Sequence, residues 1–231
     1  IALAPNGQLT TDVTQLIFTP QNWNIAQTVT VTAANDTTTE GNHTGTIAHT
    51  TTSTDTAYNN LSLGSVTASI TDNDTAGITI TQSGGDTTVV EGGATDAYTV
   101  VLNSQPTANV TIALAPNGQL TTDVTQLIFT PQNWNIAQTV TVTAANDTTT
   151  EGNHTGTIAH TTTSTDTAYN NLSLGSVTAS ITDNDTAGIT ITQSGGDTTV
   201  VEGGATDAYT VVLNSQPTAN VTIALAPNGQ L

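Results

Sequence analysis

Five carboxylates stand where strands are expected to end. Asp183 and Asp185 flank Asn184 in ITDNDTAGI, Asp147 and Glu151 bound the loop DTTTEG, and Glu91 occupies the turn VVEGG. Residues two apart in an extended chain point the same way, so the Asp183 and Asp185 carboxylates share a side. The three segments can all reach one pole of an antiparallel sandwich. Gathered there they would repel one another, and a hard divalent cation would relieve that repulsion. Ca²⁺ takes six to eight oxygen ligands, at about 2.3–2.6 Å, from carboxylates, carbonyls and water. The other reading is solvated turn residues, because Asp, Asn and Gly favour turns on backbone grounds alone.

The rest of the chain sharpens this choice. It has no Lys and no Arg in 231 residues against 18 Asp plus Glu, a formal charge of −18. Nucleic acid is excluded as a partner, since binding it requires cationic side chains to displace the phosphate counterions. Anionic membrane surfaces are disfavoured for the same reason. Clustered carboxylates must here be solvated, protonated or bound to a metal. There is no Cys, so no disulfide forms, and without Lys no Lys–Asn isopeptide crosslink forms either. No stretch reaches the roughly 20 apolar residues of a membrane span, and targeting signals are expected outside this segment.

The elements that must position the acids come from a repeat. IALAPNGQL begins at residues 1, 112 and 223, and the intervening sequence is identical, so the period is 111 residues. That period is too long for a solenoid unit and suits a whole sandwich domain, giving beads on a string. Thr, Val, Ile and Ala dominate, aromatics are scarce, and alternating runs are separated by APNG, TPQN, QSGGD and NSQP turns. Strands are expected at about 78–82, 86–91, 95–103, 108–115, 124–130, 137–145, 153–162 and 174–182. The fold class is therefore all-β, as tandem immunoglobulin-like antiparallel sandwiches of seven or eight strands. Residues 77–187 form the complete repeat, 1–76 the C-terminal part of a preceding one, and 188–231 the N-terminal part of the next.

The order of motifs resembles a known family. VVEGGATDAYTVVLNSQPTANVTIAL at 89–114, LIFTPQNWNIAQTVTVTAANDTTTEGNHTGTI at 127–158 and the closing ITDNDTAGI are similar to successive segments of Calx-beta domains. The resemblance spans the repeat. It implies an immunoglobulin-like sandwich of the kind found in sodium/calcium exchangers and large bacterial surface and adhesion proteins, binding calcium through acidic loops at one end. By position it implies Glu91, Asp147, Glu151, Asp183 and Asp185 as Ca²⁺ ligands. Asn153 and His154 stand where a second acid often follows the Glu-Gly pair.

Other polar residues are expected to be structural. Asp86, Asp96, Asp123 and Asp166 are read as solvated, with membership of the acidic site as the other role considered for Asp123. His154 and His160, like their copies His43 and His49, lie six apart on one strand face and are read as exposed strand residues rather than a transition-metal pair. Trp134 is expected to plug one end of the core, with sugar stacking as the other role considered. No nucleophile elbow, metalloprotease helix or phosphate loop is present, so no enzyme is expected. Asn-x-Ser/Thr triplets at Asn35, Asn42, Asn60, Asn73 and Asn109 arise readily in a Thr-rich chain and assign nothing.

The expected function is a structural extender in a bacterial extracellular fibre or adhesin, at the cell surface, stiffened by Ca²⁺ at domain junctions. Its partners would be neighbouring repeats of the same chain. Two rivals are a self-assembling filament subunit whose copies complement one another's strands, and a module that binds surface glycans.

Overall fold

A computed structural model describes residues 1–227 and 229; the tail of the third IALAPNGQL copy, at 228, 230 and 231, lies outside the described residues. Among the described residues, sixteen strands follow one another. The first five are β1 (Ala2–Pro5), β2 (Leu9–Thr11), β3 (Val31–Ala33), β4 (His43–Thr50) and β5 (Val66–Ile70). The middle repeat contributes β6 (Ile78–Gln82), β7 (Thr87–Val90), β8 (Asp96–Leu102), β9 (Val110–Pro116), β10 (Leu120–Thr122), β11 (Gln126–Phe129), β12 (Gln138–Ala144), β13 (His154–Ser164) and β14 (Val177–Thr182). Then come β15 (Ile189–Gln193) and β16 (Tyr209–Leu213).

The middle strands form two sheets, a four-stranded one ordered β10-β12-β8-β6 and a five-stranded one ordered β11-β9-β13-β14-β7. Alternation explains how they pack. In β12 the inward Val140 and Val142 are fully buried, and so are Val110 and Ile112 in β9 and Ile158 in β13. These residues meet between the sheets in one apolar core. Each fully buried Val or Ile contributes roughly 1.5–3 kcal/mol. Trp134 packs against this core while staying partly exposed, as a plug would.

Two expectations about the sheets need correction. The two sheets hold nine strands rather than seven or eight, because the three-residue β10 pairs with β12. The sandwich is also not wholly antiparallel. β7 pairs in parallel with β14, with Thr87 opposite Ala179 and Val90 opposite Thr182. Sequence alternation is the same in both pairing modes, so it cannot tell them apart.

Flanking segments repeat parts of this plan. β1, β4 and β5 form one sheet and β2 and β3 another, over a small cluster of Leu3, Leu9, Ile47 and Ile70. β15 pairs with β16, leaving Ile191 and Val212 exposed. Among the described residues, no helix is long and apolar enough to cross a membrane.

Candidate metal centre

Parallel pairing of β7 with β14 places the first acid. The Glu91 N–H donates to the Thr182 carbonyl at 3.1 Å, one step beyond the last paired residues, so Glu91 lies beside the chain just before Asp183. The hairpin then turns through Gly92 and Gly93. Gly92 has φ +60°, and a Cβ there would lie 2.7 Å from Asn146 Oδ1 and 3.0 Å from Asn184 Nδ2. Those amides bond each other at 2.9 Å, so only glycine lets the turn close over them.

Asp183 organises the opposite wall. Its Oδ2 accepts the N–H groups of Glu151 at 2.8 Å and Gly152 at 2.7 Å, and its Oδ1 accepts that of Asp185 at 2.7 Å. These backbone bonds, the Asp185 one foremost, hold its carboxyl below the usual range. The first repeat reproduces this scaffold, with Asp72 Oδ2 accepting Glu40 N at 2.8 Å and Gly41 N at 2.7 Å.

Among the described residues, two sets of potential ligand atoms converge on Glu91, each within 4.8 Å of one another: Glu91, Asp183 and Asp185, and Glu91, Glu151 and His154. Glu91 is only 2% exposed. Its Oε2 and the buried Asp185 Oδ2 have no hydrogen-bond partner. Burial pushes the Glu91 carboxyl up, and the negative charges of Asp183 and Asp147 push it further. A buried carboxylate without a donor is costly, and no Lys or Arg exists to pair with it. The all-oxygen set suits a hard cation.

His154, expected as an exposed strand residue, is half-buried and faces this cluster. Its Nδ1 donates to the Gly152 carbonyl at 2.9 Å, and its Nε2 lies 3.5 Å from Glu151 Oε2 and 3.9 Å from Glu91 Oε1. The signal was in the sequence: Glu151 and His154 are three apart across a glycine turn. Asp147 stands apart from both sets. It is exposed, its Oδ1 accepts Thr149 N at 2.6 Å, and it acts on Glu91 only through its charge.

Two residues read as exposed or solvated are buried instead. His160 projects into the core, where Nδ1 donates to the Gly175 carbonyl at 3.1 Å and Nε2 accepts the Tyr98 hydroxyl at 2.9 Å. Asp166 is buried and accepts Thr107 N at 2.8 Å and Ala168 N at 2.9 Å. Asp123 stays outside the cluster, exposed, with Oδ1 accepting Thr141 N at 2.8 Å. Asp86 is exposed and Asp96 half-buried.

No family model matches the chain, and no curated protein matches its sequence. Among solved structures, the apo-form Calx CBD1 domain matches with a TM-score of 0.35 and 16% identity, over 47% of this chain and 98% of that one. E. coli alpha-2-macroglobulin in its native conformation matches with a TM-score of 0.32 and 12% identity, over 72% of this chain and 10% of that one.

Proposed function

We propose that the chain is a structural extender built of tandem calcium-binding sandwiches, belonging to a bacterial extracellular fibre or adhesin. The observation that carries this reading is Glu91, sealed from solvent with an unpartnered oxygen, converging with Asp183 and Asp185 in a chain without Lys or Arg. Ca²⁺ would be held by Glu91, Asp183 and Asp185, with Glu151 at the edge of the same pocket. Asp147 would act through its charge or through a bridging water.

The mechanism is mechanical. Asp185 is followed by Thr186, Ala187 and Gly188 before β15 begins at Ile189, so an ion at this pole sits at the joint between repeats. Each repeat would add roughly 40 Å, from strands of about nine residues at about 3.4 Å each plus loops. Small-angle scattering and limited proteolysis with calcium and with a chelator test this reading. Chelation should increase flexibility and protease sensitivity; profiles unchanged by chelator would remove calcium from the account.

A further inference from the structure

We propose that the Thr-Thr-Thr segment between the two acids of each acidic loop docks one repeat onto the next, its receptor being the Asn-Ser-Gln-Pro turn of the following repeat. The loop has two sides. Its acidic ends serve their own repeat, as Glu40 does by donating its N–H to Asp72. Its threonines reach forward. Gln105 N donates to the Thr37 carbonyl at 2.6 Å and Thr39 N donates to the Gln105 carbonyl at 3.3 Å, which makes Thr38 and Gln105 a parallel bridge pair. Side chains add to it: Thr39 Oγ1 and Ser104 Oγ are 2.5 Å apart, and Thr38 Oγ1 donates to Gln105 Oε1 at 3.4 Å.

The second junction repeats these contacts 111 residues later. Gln216 N donates to the Thr148 carbonyl at 2.7 Å, Thr150 N to the Gln216 carbonyl at 3.4 Å, and Thr150 Oγ1 lies 2.6 Å from Ser215 Oγ. Two main-chain bonds around one residue are the minimal form of strand addition, in which backbone supplies affinity and adjacent side chains supply specificity.

The receiving turn is tied firmly to its own core. Ser104 is buried; the Tyr169 hydroxyl donates to its carbonyl at 2.7 Å and accepts its N–H at 3.2 Å. Gln105 Nε2 donates to the Pro131 carbonyl at 2.8 Å. The linker joins the same point, because Ser104 Oγ donates to the Thr75 carbonyl at 3.2 Å and Asn103 N to the Gly77 carbonyl at 2.9 Å. Loop, linker and turn thus meet as one bolt. Identical bolts impose the same rotation at every junction, so an array of these repeats is a screw-symmetric rod. The clamp stands on its own contacts, whereas its tightening by calcium rests on the extender reading above.

The chain has no Cys, so introduced thiols report cleanly. Spin labels at Thr46→Cys and Thr157→Cys, equivalent exposed positions one repeat apart, should give a single narrow distance distribution in the whole chain. Adding Thr39→Pro, which deletes the N–H given to Gln105, should broaden it at least about twofold. Labels at Thr139→Cys and Thr157→Cys, within the middle repeat, should be unaffected by Thr39→Pro. If Thr39→Pro disturbs that internal distance, the pair Thr38→Cys and Gln105→Cys decides: bridged residues lie within disulfide reach and should oxidise to an intramolecular crosslink. A broad distribution without the proline, the same narrow one with it, or a failed crosslink would overturn the clamp. A narrow distribution that ignores chelator would support the clamp and overturn only the stiffening by calcium.

Discussion

The Asp183 carboxylate accepts the backbone N–H of Glu151 at 2.8 Å, so the segment that closes the repeat holds the loop that carries its other acid. Asp183 is therefore both a ligand candidate and the scaffold of the pocket. Asp183→Ala should lower calcium affinity at least about tenfold, equivalent to about 1.4 kcal/mol. It should also speed hydrogen exchange at Glu151 and Gly152 without calcium. Loss of affinity with unchanged exchange would limit Asp183 to a ligand.

The same bonds set an acid limit. Asp183 is held below its ordinary value, so its contribution to stability is present above the unfolded Asp value of about 3.9 and is lost as pH falls through the lower folded one. Glu91 has the opposite sign. Its raised value makes metal-free stability fall as pH rises above the unfolded Glu value of about 4.3. Thermal melts across pH without metal should show Glu91→Gln more stable than the parent chain at neutral pH. Calcium should raise the melting temperature of the parent chain more than that of the variant.

His160 supplies a pH response away from the metal pocket. Burial lowers its value, and its bonds to Gly175 and Tyr98 require the neutral ring with the proton on Nδ1. A lowered folded value means that stability is lost as pH falls below the unfolded His value of about 6.5. His160→Gln should cost about 1–2 kcal/mol at pH 7 through the lost hydrogen bonds and flatten the slope between about pH 7 and 5. An unchanged slope would assign the response to another group.

Gly156 on β13 lies against Leu120 on β10, where the two sheets approach closely. A Cβ there would collide with Leu120 Cγ and lie 2.7 Å from its Cδ1. Gly156→Ala should destabilise the middle repeat by about 1–3 kcal/mol in denaturant melts, although alanine otherwise suits a strand at least as well as glycine.

Much of this was legible in the sequence. Alternation in QTVTVTA and HTGTIAHTTTS places β12 and β13 and their inward residues, because a two-residue period follows from backbone geometry alone. The Asp183–Asp185 pair and Glu91 were legible as candidate ligands from type and spacing. What was not legible depends on partners from another sheet. Local alternation puts His160 on a face, but only the fold supplies Tyr98 on β8 opposite it. Asp166 looks like a turn acid until Thr107 is brought within 2.8 Å. β10 has three residues, too few to show a period. The parallel pairing that delivers Glu91 to Asp183 has no sequence signature of its own.

The central claim is that Glu91, Asp183 and Asp185 bind calcium. Isothermal titration of Ca²⁺ into the metal-free 231-residue chain and its Glu91→Gln variant tests it directly. The account predicts saturable binding to the parent chain, weakened at least about tenfold in the variant. No binding to the parent chain, or equal affinity in both, would contradict it.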